Sequence, residues 1–249
     1  MENPFAKDAP LIDPEELPRW VVREDDEVLV FNKPGWLVCH PSKNGPWSSL
    51  VGAVREYYEL DKIHMISRID RETSGLVVFA KHKEVARKLQ IAFSDRRTEK
   101  TYHAILCGNL KRSVTVEGNM LDDKESPVVV QQRLSFGRHG KFSRSEFTPI
   151  EVKGDYTLAK VLPETGRKHQ IRVHAKDLEM PILGDKIYGP DPNYYLEFIK
   201  EGWTKNLAEN LIFPRQALHA SGLRIYGDDW EYKFEAPLFE DIKNFWEGL

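Results

Sequence analysis

Cysteine is scarce: Cys39 and Cys107 are the two thiols in a chain of 249 residues. Two thiols cannot build a disulfide framework or a four-cysteine metal site, and neither has surroundings that suggest a nucleophile. The chain has no Gly-rich phosphate loop of either common type, no Cys-x-x-Cys and no Gly-x-Ser-x-Gly elbow. The usual cofactor and hydrolase signatures are therefore missing, and no cofactor is expected. His169 and His174 are the nearest approach to a metal pair. On a helix they would point to different sides, and no acidic residue lies at ligand spacing, so no metal is expected. No apolar run approaches a bilayer span. The N-terminus, "MENPFAKDAPLIDPEELPRW", lacks the basic flank and apolar core of a signal peptide, so a cytoplasmic protein is expected.

Charge of one sign does not dominate either. Lys and Arg total 36, Asp and Glu 39, for a formal net charge of -3. That balance argues mildly against nucleic acid, but distribution matters more than the sum. Acidic residues crowd the two ends ("DPEEL", "REDDE", "FEDIKNFWEGL"). Basic residues crowd the middle ("KHKEVARK", "DRRTEK", "GRHGKFSR", "GRKHQIR"). A neutral average can hide a basic face, although a charge run is more commonly a solvated surface.

The residues present read as α+β, with a mostly antiparallel sheet and flanking helices. Residues 1–20 form an acidic, Pro-rich extended arm, and 21–249 a single domain. "EVLVFNKPGWLVCHPS" reads as a hairpin: Val28 to Phe31 go out, "NKPG" turns, and Trp36 to Cys39 return. "SSLVGAVREYYE" is a helix opened by a serine cap. "LVVFAK" fits a buried strand, and "KEVARKLQIAF" sets Val85, Leu89 and Phe93 one helical turn apart. "KTYHAILCG", "SVTVEGNM", "SPVVVQQRLS", "SEFTPIEV" and "YTLAKVLP" read as strands. "GRKHQIRVHAKDL" reads as a helix and "NYYLEFIKEGWTKNLAENLIF" as two short ones. "ALHASGLRIYG" and "WEYKFEAP" form a strand pair, and "FEDIKNFWEG" a terminal helix.

One segment resists a purely structural reading. "ISRIDRETSG", Ile66 to Gly75, sets Asp70 between Arg68 and Arg71 amid apolar runs. Thr73, Ser74 and Gly75 can turn the chain and satisfy backbone groups locally. An aspartate beside arginine stays ionised, and an ionised carboxylate serves as nucleophile or base. Taken alone, such a residue is more commonly one half of a structural ion pair.

Several segments, in order along nearly the whole chain, resemble the RluA-type RNA pseudouridine synthases. "LVFNKPGWLVCHPS" resembles that family's first motif. "SRIDRETSGLVVFAK" resembles its catalytic motif, usually His-Arg-Leu-Asp followed by Thr-Ser-Gly. "KTYHAILCG" resembles its Lys-x-Tyr-x-Ala strand, and "PETGRKHQIRVHAKDLEMPILGDKIYG" its third motif. "RQALHASGLRI" and "FEAPLFEDI" resemble its closing segments. Ser67 stands where the family usually has His, and Ile69 where it has Leu, a volume-conserving change. No amino-terminal S4 domain is expected.

The resemblance implies the pseudouridine synthase catalytic fold and isomerisation of uridine in structured RNA. Asp70 is then the catalytic carboxylate, acting at C1′, at C6 or on the C2′ proton. Tyr102 is the active-site tyrosine, and Arg172 is the partner that holds Asp70 charged. Arg167 and Lys168 are phosphate contacts near the start of their helix. Arg68 lies near the position vacated by a flipped base, with Arg71 and Thr73 beside it on the RNA-binding side. Lys33 and His40 shape the first-motif hairpin. The partner is RNA, ribosomal ahead of transfer RNA, with no membrane and no obligatory protein partner. Two other readings remain at this point. One is an RNA-binding protein of the same fold without catalysis. The other is an Asp-dependent nucleoside or glycoside hydrolase, which usually needs a second carboxylate that nothing here marks.

Overall fold

The computed structural model describes residues 10–41 and 44–249. The chain enters with a 3-10 turn at Leu17–Trp20, so the described part of the expected extended arm is not extended throughout. Buried Ile12 and Leu17 hold it against the body of the protein. Strands β1 (Val21–Glu24) and β2 (Val28–Lys33) follow, then helix α1 (Leu50–Tyr57), capped by the Ser49 side chain as its sequence predicts. Next come β3 (His64–Met65), β4 (Ser74–Ala80), α2 (Lys83–Ser94) and β5 (Thr98–Cys107). A long antiparallel wing is made of β6 (Val114–Asp122), β7 (Gln132–Ser135), β8 (Lys141–Lys153) and β9 (Tyr156–Pro163). Helices α3 (Gln170–Asp177), α4 (Asn193–Glu201) and α5 (Lys205–Leu211) precede β10 (Leu218–Tyr226), β11 (Glu231–Glu235) and α6 (Glu240–Glu247).

All these strands join one sheet in the order β1-β2-β4-β10-β5-β9-β8-β6-β7, with β3 added to β4 and β11 to β10. The pairing is antiparallel except at its centre, where β10 runs parallel to the start of β4. In the first half of the sheet the strands alternate between two buried faces. Val28, Val30, Leu76 and Val78 pack with Leu89 of α2. Leu29, Phe31, Val77 and Phe79 pack with Leu50 and Val54 of α1. Burial on both sides explains why "VLVF" and "LVVFA" read as unbroken apolar runs.

Three sequence expectations are corrected. Trp36 to Cys39 do not return as a strand; β2 pairs with β1 and β4 instead. The segment turns inward and buries Leu37 and Cys39, with the Leu37 side chain alone worth about 1.5–3 kcal/mol. The fully buried Lys33 ammonium takes up the carbonyls of Pro34 at 2.8 Å and Leu37 at 2.7 Å, which a strand ladder would otherwise satisfy. In "SPVVVQQRLS" the strand begins at Gln132, because Ser126 and Val128 close a local turn onto Gln131. Helix α3 begins at Gln170, after His169 in the left-handed region with φ 55°, so the preceding "GRK" is loop.

Gly75, the second residue of β4, has φ 114°, and an added Cβ would sit 2.3 Å from the Ala220 carbonyl oxygen across the parallel pair. Gly75→Ala is expected to cost about 3 kcal/mol or more. In a chain of this size that lowers the thermal midpoint by roughly 6–12 °C, measurable by calorimetry.

Candidate active site

The parallel register of β4 and β10 sets the Ile66–Thr73 loop above the centre of the sheet. That loop is tied down nearly residue by residue. Ile66 N–H donates to the Val78 carbonyl at 2.8 Å, and the Ser67 hydroxyl accepts from Val78 N–H at 3.0 Å. The Cys39 thiol faces the Ile69 carbonyl at 3.5 Å, and Thr73 N–H donates to the Asp70 carbonyl at 3.2 Å. Lys33 Nζ reaches the Arg71 carbonyl at 3.0 Å, and Arg215 Nη1 reaches that of Glu72 at 3.1 Å. The Thr73 hydroxyl accepts from the Gln216 amide at 2.7 Å. Main-chain donors and acceptors of this half-buried loop are thus met inside the protein. Burial pushes the Lys33 ammonium down to about 7.

The Asp70 side chain stands over a cleft of about 640 Å³ and is 36% exposed. Its Oδ2 accepts from Arg172 Nη1 at 3.0 Å. The same guanidinium donates from Nε and Nη2 to the two oxygens of Asp185, at 2.7 and 2.9 Å. Asp185 Oδ1 also accepts the backbone N–H groups of Ile187 and Tyr188, each at 3.0 Å. Arg172 lies 5.0 Å over the Tyr188 ring. A buried cation is thus fixed from behind by one carboxylate and presented to another in front. Burial alone would raise the Asp70 carboxyl; the Arg172 charge and hydrogen bond, with His169 nearby, hold it below its ordinary range. No described group reaches its Oδ1, so one oxygen of an ionised carboxylate faces the cleft.

His169 Nε2 lies 3.8 Å from Asp70 Oδ2. Burial, then the nearby Arg172 charge, pushes this imidazole down to about 4, so it is neutral near pH 7. The Tyr188 hydroxyl accepts Gln132 N–H at 2.9 Å and faces His169 Nδ1 at 2.8 Å. When the phenol donates its proton to Nδ1, the imidazole proton lies on Nε2, toward Asp70. Tyr102, from β5, forms another wall. Burial, and secondarily the Asp70 charge, pushes its phenol up to about 12, so it stays protonated.

All eight residues singled out in the sequence line this cleft, but their side chains are not equally free. Arg68 Nη1 meets His40 Nε2 at 2.8 Å, and Arg167 Nε donates to the Phe142 carbonyl at 3.0 Å. Arg71 Nε donates to the Trp36 carbonyl at 3.1 Å, while its buried Nη2 has no hydrogen-bond partner among the described residues. Lys168 is exposed. Thr73 is buried and engaged with Gln216, so here it anchors the loop. Sequence reasoning gave no role to Asp185, Tyr188 or His169. Asp185 lies 13 residues after Arg172, in "GDKIYG"; an acid followed by an aromatic was the signal available. Among the described residues no group of His, Cys, Asp and Glu could hold a metal ion, and no helix is long and apolar enough to cross a membrane.

Residues 27–177 match the family model described as RNA pseudouridylate synthase. An uncharacterized RNA pseudouridine synthase of Chlorobaculum parvum is 36% identical over 94% of this chain and 75% of its own length. The ribosomal large subunit pseudouridine synthase D of Pasteurella multocida is 33% identical over 95% and 72%. The solved structure of human RNA pseudouridylate synthase domain containing 4 superposes with a TM-score of 0.69 over 92% of each chain, at 22% identity, a likeness of fold.

Because the Asp70 pKa is depressed in the folded chain, its contribution to stability is complete above the unfolded value and is lost as pH falls through the folded value. Unfolding free energy should therefore fall below about pH 4, and Asp70→Asn should flatten part of that slope. Denaturant titrations at stepped pH measure it; equal slopes for the two proteins would contradict the Arg172 pairing.

Proposed function

The chain belongs to the RluA-type RNA pseudouridine synthase family, isomerases that act on RNA, and on that premise we propose that it isomerises particular uridines of ribosomal RNA with Asp70 as the catalytic carboxylate. The observation that carries this is the ionised, half-open Asp70 carboxylate held by Arg172 on a cleft walled by Tyr102. In the reaction the glycosidic C–N bond breaks, the uracil turns, and a C–C bond forms from C5. The C5 hydrogen leaves as a proton and N1 gains one, so no electrons or energy donor are required.

Asp70 is the negative group that meets the sugar or base. Its depressed pKa makes it a weak proton acceptor, which favours attack on carbon over removal of the C2′ proton. Tyr102 offers a ring for the flipped uracil to stack on. Its raised pKa suits a hydrogen-bond donor near C5 better than a base. Arg68, Arg71, Arg167 and Lys168 take backbone phosphates at the rim, and Thr73 holds the loop that carries Asp70. Residues 21–249 act as one catalytic domain, in the cytoplasm where ribosomal RNA is used. Relatives named for the large ribosomal subunit support that substrate over transfer RNA.

The hydrolase reading still lacks a second carboxylate: Glu72, two residues from Asp70, is paired with the buried Lys186 at 2.8 Å. The binding-only reading is separated by experiment. With ribosomal and transfer RNA tritiated at uridine C5, the chain should release tritium to water from large-subunit RNA. Asp70→Ala should release none while keeping RNA affinity within about threefold. Equal loss of turnover and affinity would overturn the role of Asp70, and release from transfer RNA alone would overturn the substrate. Arg167→Gln and Lys168→Gln should each flatten the slope of log affinity against log salt by about 0.7–0.9, measured by filter binding.

A further inference from the structure

A second cavity of about 220 Å³ lies beside the main cleft and shares Arg68, Ile69, Lys100 and Tyr102 with it. We propose that it receives the base of a nucleotide flanking the target uridine, so that the RNA is read on both sides of Tyr102. The inference rests on the synthase reading and adds a subsite to it.

The lining chooses the ligand class. Ile66, Leu76, Phe93 and Leu223 make it apolar, and Ala220 and Gly222 keep its floor low. Its charged members are Arg68 and Lys100, and none of its lining residues is acidic. An apolar slot with cations at its mouth suits a flat, uncharged ring carried on an anionic backbone. At about 30 Å³ per water it holds the volume of roughly seven waters, the scale of one base without its sugar and phosphate.

Lys100 marks the join. No carboxylate among the described residues pairs with it; its Nζ lies 5.4 Å from the Phe93 ring centre. The same Nζ stands 3.1 Å from where a Cβ on Gly166 would sit, so it spans from β5 to the loop that carries Arg167 and Lys168. Burial lowers its pKa, and a phosphate between the two bases would supply the missing counter-charge. The Ser67 hydroxyl accepts Val78 N–H and keeps its own proton, so stacking on Phe93 holds the base and Ser67 offers it at most one donor.

The test starts from the RNA that releases tritium. Bases within two positions of the target are removed one at a time, leaving abasic sites, and each RNA is assayed with the wild type, Phe93→Ala, Phe93→Tyr and Lys100→Met. At one position base removal should raise KM about tenfold for the wild type and for Phe93→Tyr, with kcat nearly unchanged. Phe93→Ala should lose that sensitivity, because it has already lost the stack. Lys100→Met, which keeps the stem, should raise KM on intact RNA and weaken its salt dependence. Tritium release with additive effects at every position would overturn the subsite and leave the synthase reading standing. No release from any RNA would overturn both.

Discussion

One guanidinium organises this protein. Arg172 is buried between two carboxylates, and its planar fork serves both without bending. Asp185 takes two of its N–H groups and two backbone amides, so its own charge is satisfied away from the cleft. Of the three N–H groups that remain, one, on Nη1, is given to Asp70. A lysine could supply the charge but not the planar fork that meets both oxygens of Asp185. Removing Asp185 would leave a buried cation with a single partly exposed partner, an arrangement that costs several kcal/mol.

The sheet provides the other half of the constraint. The parallel contact between β4 and β10 is short, His219 with Ser74 and Ala220 with Gly75. There Gly75 takes a φ that other residues resist, and its missing side chain lets the strands close. The Asp70 loop ends where this contact begins. Beneath it Arg215, fully buried, binds Asp241, the Ser74 hydroxyl and the Glu72 carbonyl. Lys186 binds Glu72 and lies 4.4 Å over Phe198 of α4. The α4–α5 segment, which the sequence left without a role, therefore supports the loop from the side.

What could be read from the residues alone followed local rules. The cap at Ser49, the apolar runs of β2 and β4, and the helical spacing of Val85 and Leu89 each need only neighbours a few positions away. The cleft residues Asp70, Tyr102 and Arg172 were legible through motif order, not periodicity. The inward turn after Lys33 was hidden because its carbonyls are satisfied by one ammonium, not by a ladder. The roles of Asp185, Tyr188 and His169 were hidden for a related reason. Each depends on a partner brought close by the fold, and His169 meets a tyrosine hydroxyl 19 residues on.

The charges of the cleft also explain how a chain of net charge -3 can take up a polyanion. A carboxylate among phosphates would repel the RNA if it stood at the rim. Here the cleft is lined by Arg68, Arg71, Arg167, Lys168 and Lys100, while Asp70 stands with Arg172 behind it. Tyr102 and His169, both neutral at working pH, add no charge between them. On the proposed function, this gradient retains the phosphate outside and admits the uncharged base and sugar to Asp70. The acidic ends of the chain do not oppose it, because a contact-range field is set by the groups at the rim and not by the sum over the molecule.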